Sequence, residues 1–182
     1  MPRMVALLRG VNNIGASKRI AMADLRGLVE TFGYADVRTS LNSGNVIFSS
    51  TGVRARDAAE RIESGLRSKL GVACRVTVLS RREVAAAVRD NPFPGAEQHP
   101  SRLLVVVPGT AADRRRLERF MDKRWRPEGF ALGARVAYLW CANGVAESAL
   151  WPAVDRALER SGTARNLATM KRILALLEAT AS

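Results

Sequence analysis

The chain has 182 residues, of which 47% are hydrophobic and 25% are charged, a composition typical of a folded globular protein and not of a disordered or fibrous one. Its 29 lysines and arginines outnumber its 17 aspartates and glutamates, which gives a net charge of +12. No apolar run approaches the roughly 18 residues that a membrane-spanning helix requires, so the composition excludes an integral membrane protein and leaves a strongly basic globular one.

The first half of the chain predicts four strands and two helices. A continuous apolar run, RMVALLR, predicts a buried first strand, and the polar GVNNIGASKRI predicts a loop. Apolar residues at helical spacing from Met22 predict a helix closed by Gly33, and a second set predicts a helix closed by Gly71. ADVRTSL and GNVIFSS predict strands between the two helices, and CRVTVLS predicts a fourth strand after them.

The second half repeats this pattern after a bridging helix at residues 81–89 and the loop NPFPGAEQHP. RLLVVVP predicts a strand, ADRRRLERFMDKRW a helix and ARVAYLWC another strand, with a short partner strand around Phe130. Two helices follow, one at residues 149–160 and a final one in NLATMKRILALLEA.

The element order predicts an α+β protein with two packed ferredoxin-like units. Strand, helix, strand, strand, helix, strand is the order of the split βαβ fold, and the second unit ends in an extra C-terminal helix. We therefore expect a ferredoxin-like unit at residues 1–80, a bridging helix and loop at residues 81–100, and a second α+β unit with the C-terminal helix at residues 101–182.

This topology brings two polar stretches to one edge of the first sheet. In a split βαβ unit the first and second strands run in the same direction, so the end of the first lies beside the turn between the second and third. The amino end of the first long helix, with its free N–H groups, emerges at the same edge. Hydrogen-bond donors without matching carboxylates suit an anion or a phosphate-bearing ligand. The predicted ligand-binding residues at this edge are Arg9, Gly10, Asn12, Lys18, Asn42, Ser43, Gly44 and Asn45.

A simpler interpretation of the same residues remains open. Asn42 to Asn45 spell Asn-Ser-Gly-Asn, which is common hairpin chemistry because asparagine and glycine tolerate positive φ angles. The net charge of +12 also has two interpretations. It favours nucleic acid as a partner, yet arginines scattered along an alanine-rich chain are also expected from GC-rich coding sequence.

The sequence contains no pattern that predicts a cofactor or a metal. The single histidine, His99, and the two distant cysteines, Cys74 and Cys141, supply too few ligands for zinc, and buried free thiols indicate a reducing, cytoplasmic setting. GVNNIGASK has the glycine spacing of a phosphate-binding P-loop, but Ala16 occupies the position of the essential lysine.

An enzyme acting on a small polar metabolite at this edge is the alternative function. The nearest candidate acids or bases are Asp24 and Asp36, although a helix dipole explains the first and a strand start the second. RNA binding on the sheet face is disfavoured, because Phe48 is the only aromatic residue on the first and third strands. A purely structural or interaction protein is a third possibility, in which the asparagines only build turns.

The opening 50 residues resemble the bacterial domain-of-unknown-function 1697 family. MVALLRGVNNIGASKRIAMADLR and TSLNSGNVIFSS are similar to its pattern ALLRGINVGG, a PMAELR-like helix and a strand with SGN. NPFP and TARNLATMKRILAL continue the resemblance along the chain. It implies the two-unit α+β fold and no established activity. The matching positions are Arg9, Gly10, Asn12, Gly15, Ser43, Gly44, Asn45, Arg165, Asn166 and Thr169.

Three positions depart from that family pattern. Asn42 replaces a usual glutamine and Leu167 a usual tryptophan, and GVAESAL lacks the basic pair of the family's G-GRSKL segment. If that pair binds a ligand in relatives, this chain binds it more weakly. At the start of the last helix, Arg165 and Asn166 are predicted to form a second wall of the ligand site, although capping of that helix explains Asn166 equally well.

Overall fold

Helices and strands alternate in the order that the sequence predicts, with one strand added near the end. The structure is a computed structural model that describes residues 1–12, 17 and 19–179. In that part of the chain it contains six α-helices and two four-stranded antiparallel sheets. The elements are β1 (Arg3–Leu8), α1 (Met22–Glu30), β2 (Ala35–Ser40), β3 (Asn45–Ser49), α2 (Ala55–Leu70), β4 (Val76–Ser80), α3 (Arg81–Arg89), β5 (Leu103–Val107), α4 (Ala111–Glu118), β6 (Gly129–Leu132), β7 (Ala137–Trp140), α5 (Leu150–Ala157), β8 (Thr163–Asn166) and α6 (Leu167–Glu178).

The first sheet has the strand order β2-β3-β1-β4. β3 pairs antiparallel with both β1 and β2, so β1 and β2 run in the same direction. Asn45, the first residue of β3, lies opposite Leu7 of β1 and opposite Ser40 of β2. The last residues of β1 and the β2–β3 turn therefore meet at one edge of the sheet, as the topology predicts.

The strands β1 and β3 of the first sheet are buried on both faces. Met4, Ala6 and Leu8 of β1 belong to one hydrophobic core with residues of α1 and α2, and the alternate residues Val5 and Leu7 are fully buried as well. Phe48 stacks on Tyr34 inside that core, with the ring centroids 4.7 Å apart. No base could stack on Phe48 in this arrangement, in agreement with the argument against RNA binding on the sheet face.

The second sheet repeats the strand order of the first, as β6-β7-β5-β8. β5 is buried along its whole length and pairs with β7 on one side and with β8 on the other. Leu104 and Val106 of β5 pack in a core with residues of α4 and α5. The short strand predicted around Phe130 is β6, which pairs with β7.

The contacts divide the chain into two units. One comprises residues 1–84 together with the described residues from 173 onwards, and the other comprises residues 85–172. The helices α3 and α6 are each divided between the units. The domain limits at residues 80 and 101 stay a prediction.

Two local predictions differ from the structure. α4 ends at Glu118 and not near Trp125, because Phe120 and Met121 form tighter i+3 hydrogen bonds that close the helix. Arg165 lies in β8 opposite Val105, one element before the last helix. The TARN segment lacks the apolar alternation of a strand and is extended because β5 offers it a free edge.

Candidate functional site

The candidate site lies at the edge of the first sheet where β1 ends. The Leu8 amide donates to the Gly44 carbonyl at 2.9 Å, which fixes the β2–β3 turn against the end of β1. Gly10 and Asn12 follow with positive φ angles of 63° and 56°. The structure thus brings Arg9, Gly10 and Asn12 into one region with the turn at residues 42–45.

The side chain of Asn12 holds both the loop and the turn. Its Oδ1 accepts from the Ile20 amide at 2.9 Å, and its Nδ2 donates to the Ile20 carbonyl at 2.7 Å. The same Nδ2 donates to Asn42 Oδ1 at 3.3 Å. Asn12 therefore connects Ile20 to the turn, and its side-chain amide is already occupied by these contacts.

The β2–β3 turn is held by a buried asparagine. Asn45 is fully buried, and its Nδ2 donates to the Ser40 carbonyl at 2.8 Å and to Ser43 Oγ at 3.1 Å. Gly44 has a φ of +74°, and a Cβ there would lie 2.8 Å from the Leu8 Cβ. The hairpin interpretation of the Asn-Ser-Gly-Asn motif accounts for both residues without a ligand.

One polar atom beside this turn has no partner. Ser40 is 4% exposed, and within the described residues its Oγ makes no hydrogen bond. A buried hydroxyl without a partner costs about 1–3 kcal/mol. The Ser40 Oγ has essentially no accessible surface, so this cost belongs to the fold and the hydroxyl offers no contact to a ligand.

Two arginines lie on neighbouring backbone at the same edge. The Arg9 amide donates to the Arg75 carbonyl at 2.9 Å, because β1 ends beside the start of β4. Arg9 is half-buried and Arg75 is exposed, and the guanidinium of Arg75 lies 3.5 Å from Glu63 Oε2. Sequence reasoning missed Arg75, although antiparallel pairing of the first and fourth strands would have placed it next to Arg9.

The remaining predicted residues fall elsewhere. Lys18 and Gly15 lie outside the described residues. Asn166 Oδ1 accepts from the Thr169 amide at 2.9 Å and caps α6, as the simpler interpretation predicts. Arg165 donates to Thr163 Oγ1 and to the Ala164 carbonyl, both at 2.8 Å, and burial lowers its pKa to about 10, so it stays protonated at neutral pH. Both lie in the unit of residues 85–172, and their role in a ligand site stays a prediction.

The two candidate carboxylates do not form a catalytic arrangement with these groups. Asp24 is exposed in the first turn of α1. Asp36 is exposed with a φ of 52°, and its Oδ2 accepts from Ser49 Oγ at 3.1 Å. A structural contact therefore explains Asp36, and the dipole of α1 explains Asp24.

Two kinds of feature are absent from the part of the chain that the structure describes. Among residues 1–12, 17 and 19–179, no three histidine, cysteine, aspartate or glutamate side chains cluster as a metal site requires. Over those same residues, no helix has the length and apolar character needed to span a membrane. Cys74 and Cys141 are both buried, and burial raises the pKa of the Cys141 thiol.

Together, these features describe a mixed α/β protein of two four-stranded antiparallel sheets with a polar, arginine-containing edge on the first. The model of a protein family of unknown function, DUF1697, matches residues 1–138. The chain belongs to this family, as the resemblance of its opening segments indicates.

A solved structure supports the fold over the whole chain. The conserved bacterial protein SP0830 from Streptococcus pneumoniae superimposes with a TM-score of 0.76 at 21% sequence identity, covering 97% of this chain and 99% of that one. At this identity the likeness concerns the fold alone. No curated protein matches the sequence.

Proposed function

We propose that the protein binds a phosphate-bearing ligand or nucleic acid at the edge formed by the end of β1 and the β2–β3 turn. The observation that carries the proposal is the convergence of Arg9, Gly10 and the turn at residues 42–45 on one edge, next to Arg75. Glycine with an exposed backbone permits close approach of an anion, and guanidinium groups match phosphate geometry.

The residues of this edge divide into two roles. Asn12 and Asn45 hold the loop and the turn, because their side-chain amides bond to the protein itself. We assign the ligand contacts to Arg9 and to the exposed backbone of Gly10. A net charge of +12 draws an anionic ligand towards the whole protein, and this edge supplies the local geometry.

The fold proposed for each unit is the ferredoxin-like split βαβ arrangement. The order β1, α1, β2, β3, α2, β4 with the sheet order β2-β3-β1-β4 supports it for the first unit. The order β6-β7-β5-β8 supports it for the second. In this arrangement the loop after β1 and the β2–β3 turn share an edge in every such unit, which makes the edge a natural place for a site.

Fluorescence anisotropy with labelled single- and double-stranded oligonucleotides, at low and moderate salt, tests the proposal. Arg9→Ala is expected to weaken binding about five- to tenfold, the value of one charge-assisted contact. Arg56→Ala is the matched control, because it removes the same charge and because the Arg56 side chain is 87% exposed on α2, where it pairs with Glu60. Its affinity should stay within about twofold of the unmodified protein.

Two results would contradict the proposal. An equal loss for Arg9→Ala and Arg56→Ala would show that only net charge matters. No binding to either oligonucleotide, to inorganic phosphate or to pyrophosphate would favour the structural or interaction protein, which the engaged side chains of Asn12 and Asn45 support. Asn45→Ala is unsuitable as a binding probe, because loss of a buried hydrogen-bonding side chain alters the turn itself.

A further inference from the structure

A separate basic cavity lies in the unit of residues 85–172, after the end of α4. It has a volume of about 410 Å³. Its lining comes from one continuous stretch, formed by Lys123, Arg124, Trp125, Arg126, Glu128, Gly129 and Phe130. Cavities of about 300–1,000 Å³ are the usual size for small-molecule sites. The cavity is therefore large enough for a nucleotide.

The charge of this cavity is unbalanced. Lys123, Arg124 and Arg126 are exposed, and in the part of the chain that the structure describes none of them forms an ion pair. Elsewhere, by contrast, many arginines pair with a carboxylate one helical turn away, as Arg26 does with Glu30. The three cationic side chains that line this cavity can therefore bind an anion without first breaking an ion pair with a described residue.

The carboxylate in the lining does not cancel them. Glu128 is half-buried, and its Oε2 accepts from the Leu150 amide at 3.0 Å, at the first residue of α5. A carboxylate at a helix N-terminus is held by the free N–H groups and the positive end of the dipole. Glu128 therefore has a structural partner, and the nearby Asp122 is exposed outside the lining.

The same cavity has a rigid aromatic wall. Trp125 is half-buried, its Nε1 donates to the Phe120 carbonyl at 3.2 Å, and its ring stacks on Phe120 at a centroid distance of 5.8 Å. Phe130 packs against Phe120 in turn, at 5.6 Å. Lys123 Nζ lies over the Trp125 ring, 5.9 Å from its centroid, and 5.6 Å from the centroid of Phe120.

We propose that this cavity binds a nucleoside di- or triphosphate, with the phosphates at Lys123, Arg124 and Arg126 and the base against Trp125. Arginine and lysine bind phosphate by charge-assisted hydrogen bonds, and stacking of a base on an aromatic side chain contributes about 1–3 kcal/mol. Neither the cations nor the aromatic ring alone would select a nucleotide. The cations without the ring would accept any anion, and the ring without the cations would accept any flat apolar molecule.

Isothermal titration calorimetry with ADP, pyrophosphate and adenosine tests both the phosphate contacts and the base contact. ADP should bind at least about tenfold more tightly than either fragment, because it alone engages the cations and the ring. The double variant Lys123→Gln/Arg124→Gln should lose about 100-fold in ADP affinity, which is about tenfold for each charge-assisted contact. Both residues are exposed, so this variant keeps the fold.

The control double variant is Arg54→Gln/Arg56→Gln, which removes two exposed arginines on or next to α2 and changes the net charge equally. Its affinity for ADP should stay within about threefold of the unmodified protein. Trp125→Leu should reduce ADP affinity to that of pyrophosphate. An equal loss in the two double variants, equal affinities for ADP and pyrophosphate, or no binding of ADP would each overturn the proposal.

This site is independent of the edge proposed above. Arg9→Ala should leave the affinity for ADP unchanged, and Lys123→Gln/Arg124→Gln should affect oligonucleotide binding no more than its control does. Failure of one proposal therefore leaves the other standing.

Discussion

Replacing Gly44 by alanine is expected to destabilise the first unit far more than the same change at Gly10. Both glycines have positive φ angles, +74° and +63°, so both variants place an L-residue in a left-handed conformation. That backbone term costs about 1–2 kcal/mol and is partly offset by the lower chain entropy of alanine in the unfolded state. For Gly10 no atom of the described residues lies within 4 Å of the new Cβ, and a net loss of about 1 kcal/mol is expected.

Gly44 carries an additional steric cost. Its Cβ would lie 2.8 Å from the Cβ of Leu8 and 3.5 Å from the Cβ of Val11. The Leu8 Cβ cannot rotate away, because it is fixed to the backbone of β1 inside the sheet. Relief of such a contact requires a backbone shift, which costs about 1–3 kcal/mol. Gly44→Ala should therefore lose about 2–4 kcal/mol, and the difference between the two variants measures the close approach of the turn to β1.

Urea denaturation followed by circular dichroism gives both free energies, with an unchanged m-value as the check that the folded and unfolded states are comparable. Tryptophan fluorescence alone is unsuitable, because Trp125, Trp140 and Trp151 all lie in the unit of residues 85–172. Amide hydrogen exchange in β1 and β3 localises the effect to the first unit. A difference between the two variants below about 0.5 kcal/mol would refute the reasoning.

Three further predictions concern buried polar groups. Asn45→Ala should destabilise the protein by about 1–3 kcal/mol in the same urea assay, because the Ser40 carbonyl loses its donor. Ser40→Ala should raise the free energy of unfolding by up to about 1 kcal/mol, since it removes a buried hydroxyl without a partner; a loss of more than about 1 kcal/mol would contradict this. Burial raises the pKa of Tyr138, whose hydroxyl donates to the Ala87 carbonyl, to about 12. In the unfolded chain the pKa of tyrosine is about 10. The contribution of this difference to the free energy of unfolding is therefore complete below that pH and is lost as the pH rises towards 12. In thermal unfolding across that range, Tyr138→Phe should lose less stability than the unmodified protein.

Much of the fold could be predicted because its signals are local. Gly71 follows the last apolar position of α2 and adopts a left-handed conformation with a φ of 66°, as a helix-ending glycine should. The apolar runs of β1 and β5 are buried along almost their whole length. Strand β8 could not be predicted, because residues 163–166 are extended only through pairing with β5, a contact between segments about 60 residues apart.

The candidate site was predictable in position but not in the use of its side chains. Strand directions alone bring the end of β1 beside the β2–β3 turn. The contacts of Asn12 with Ile20 join two residues eight positions apart outside any helix or strand, so no hydrophobic periodicity predicts them. The position of Arg75 next to Arg9 could not be predicted for a similar reason, because it depends on the register of β1 against β4.

The engaged asparagines change what kind of recognition this edge can perform. Asparagine side chains read ligands through paired donors and acceptors, but the Asn12 amide already bonds to Ile20 and Asn42, and the Asn45 amide donates to Ser40 and Ser43. The binding proposed at this edge therefore rests on guanidinium charge and backbone N–H groups, which carry little base specificity. Oligonucleotide binding here should accordingly depend steeply on salt and weakly on sequence, because counterion release and not base reading supplies the free energy. A strong preference for one sequence at constant salt would place the site elsewhere.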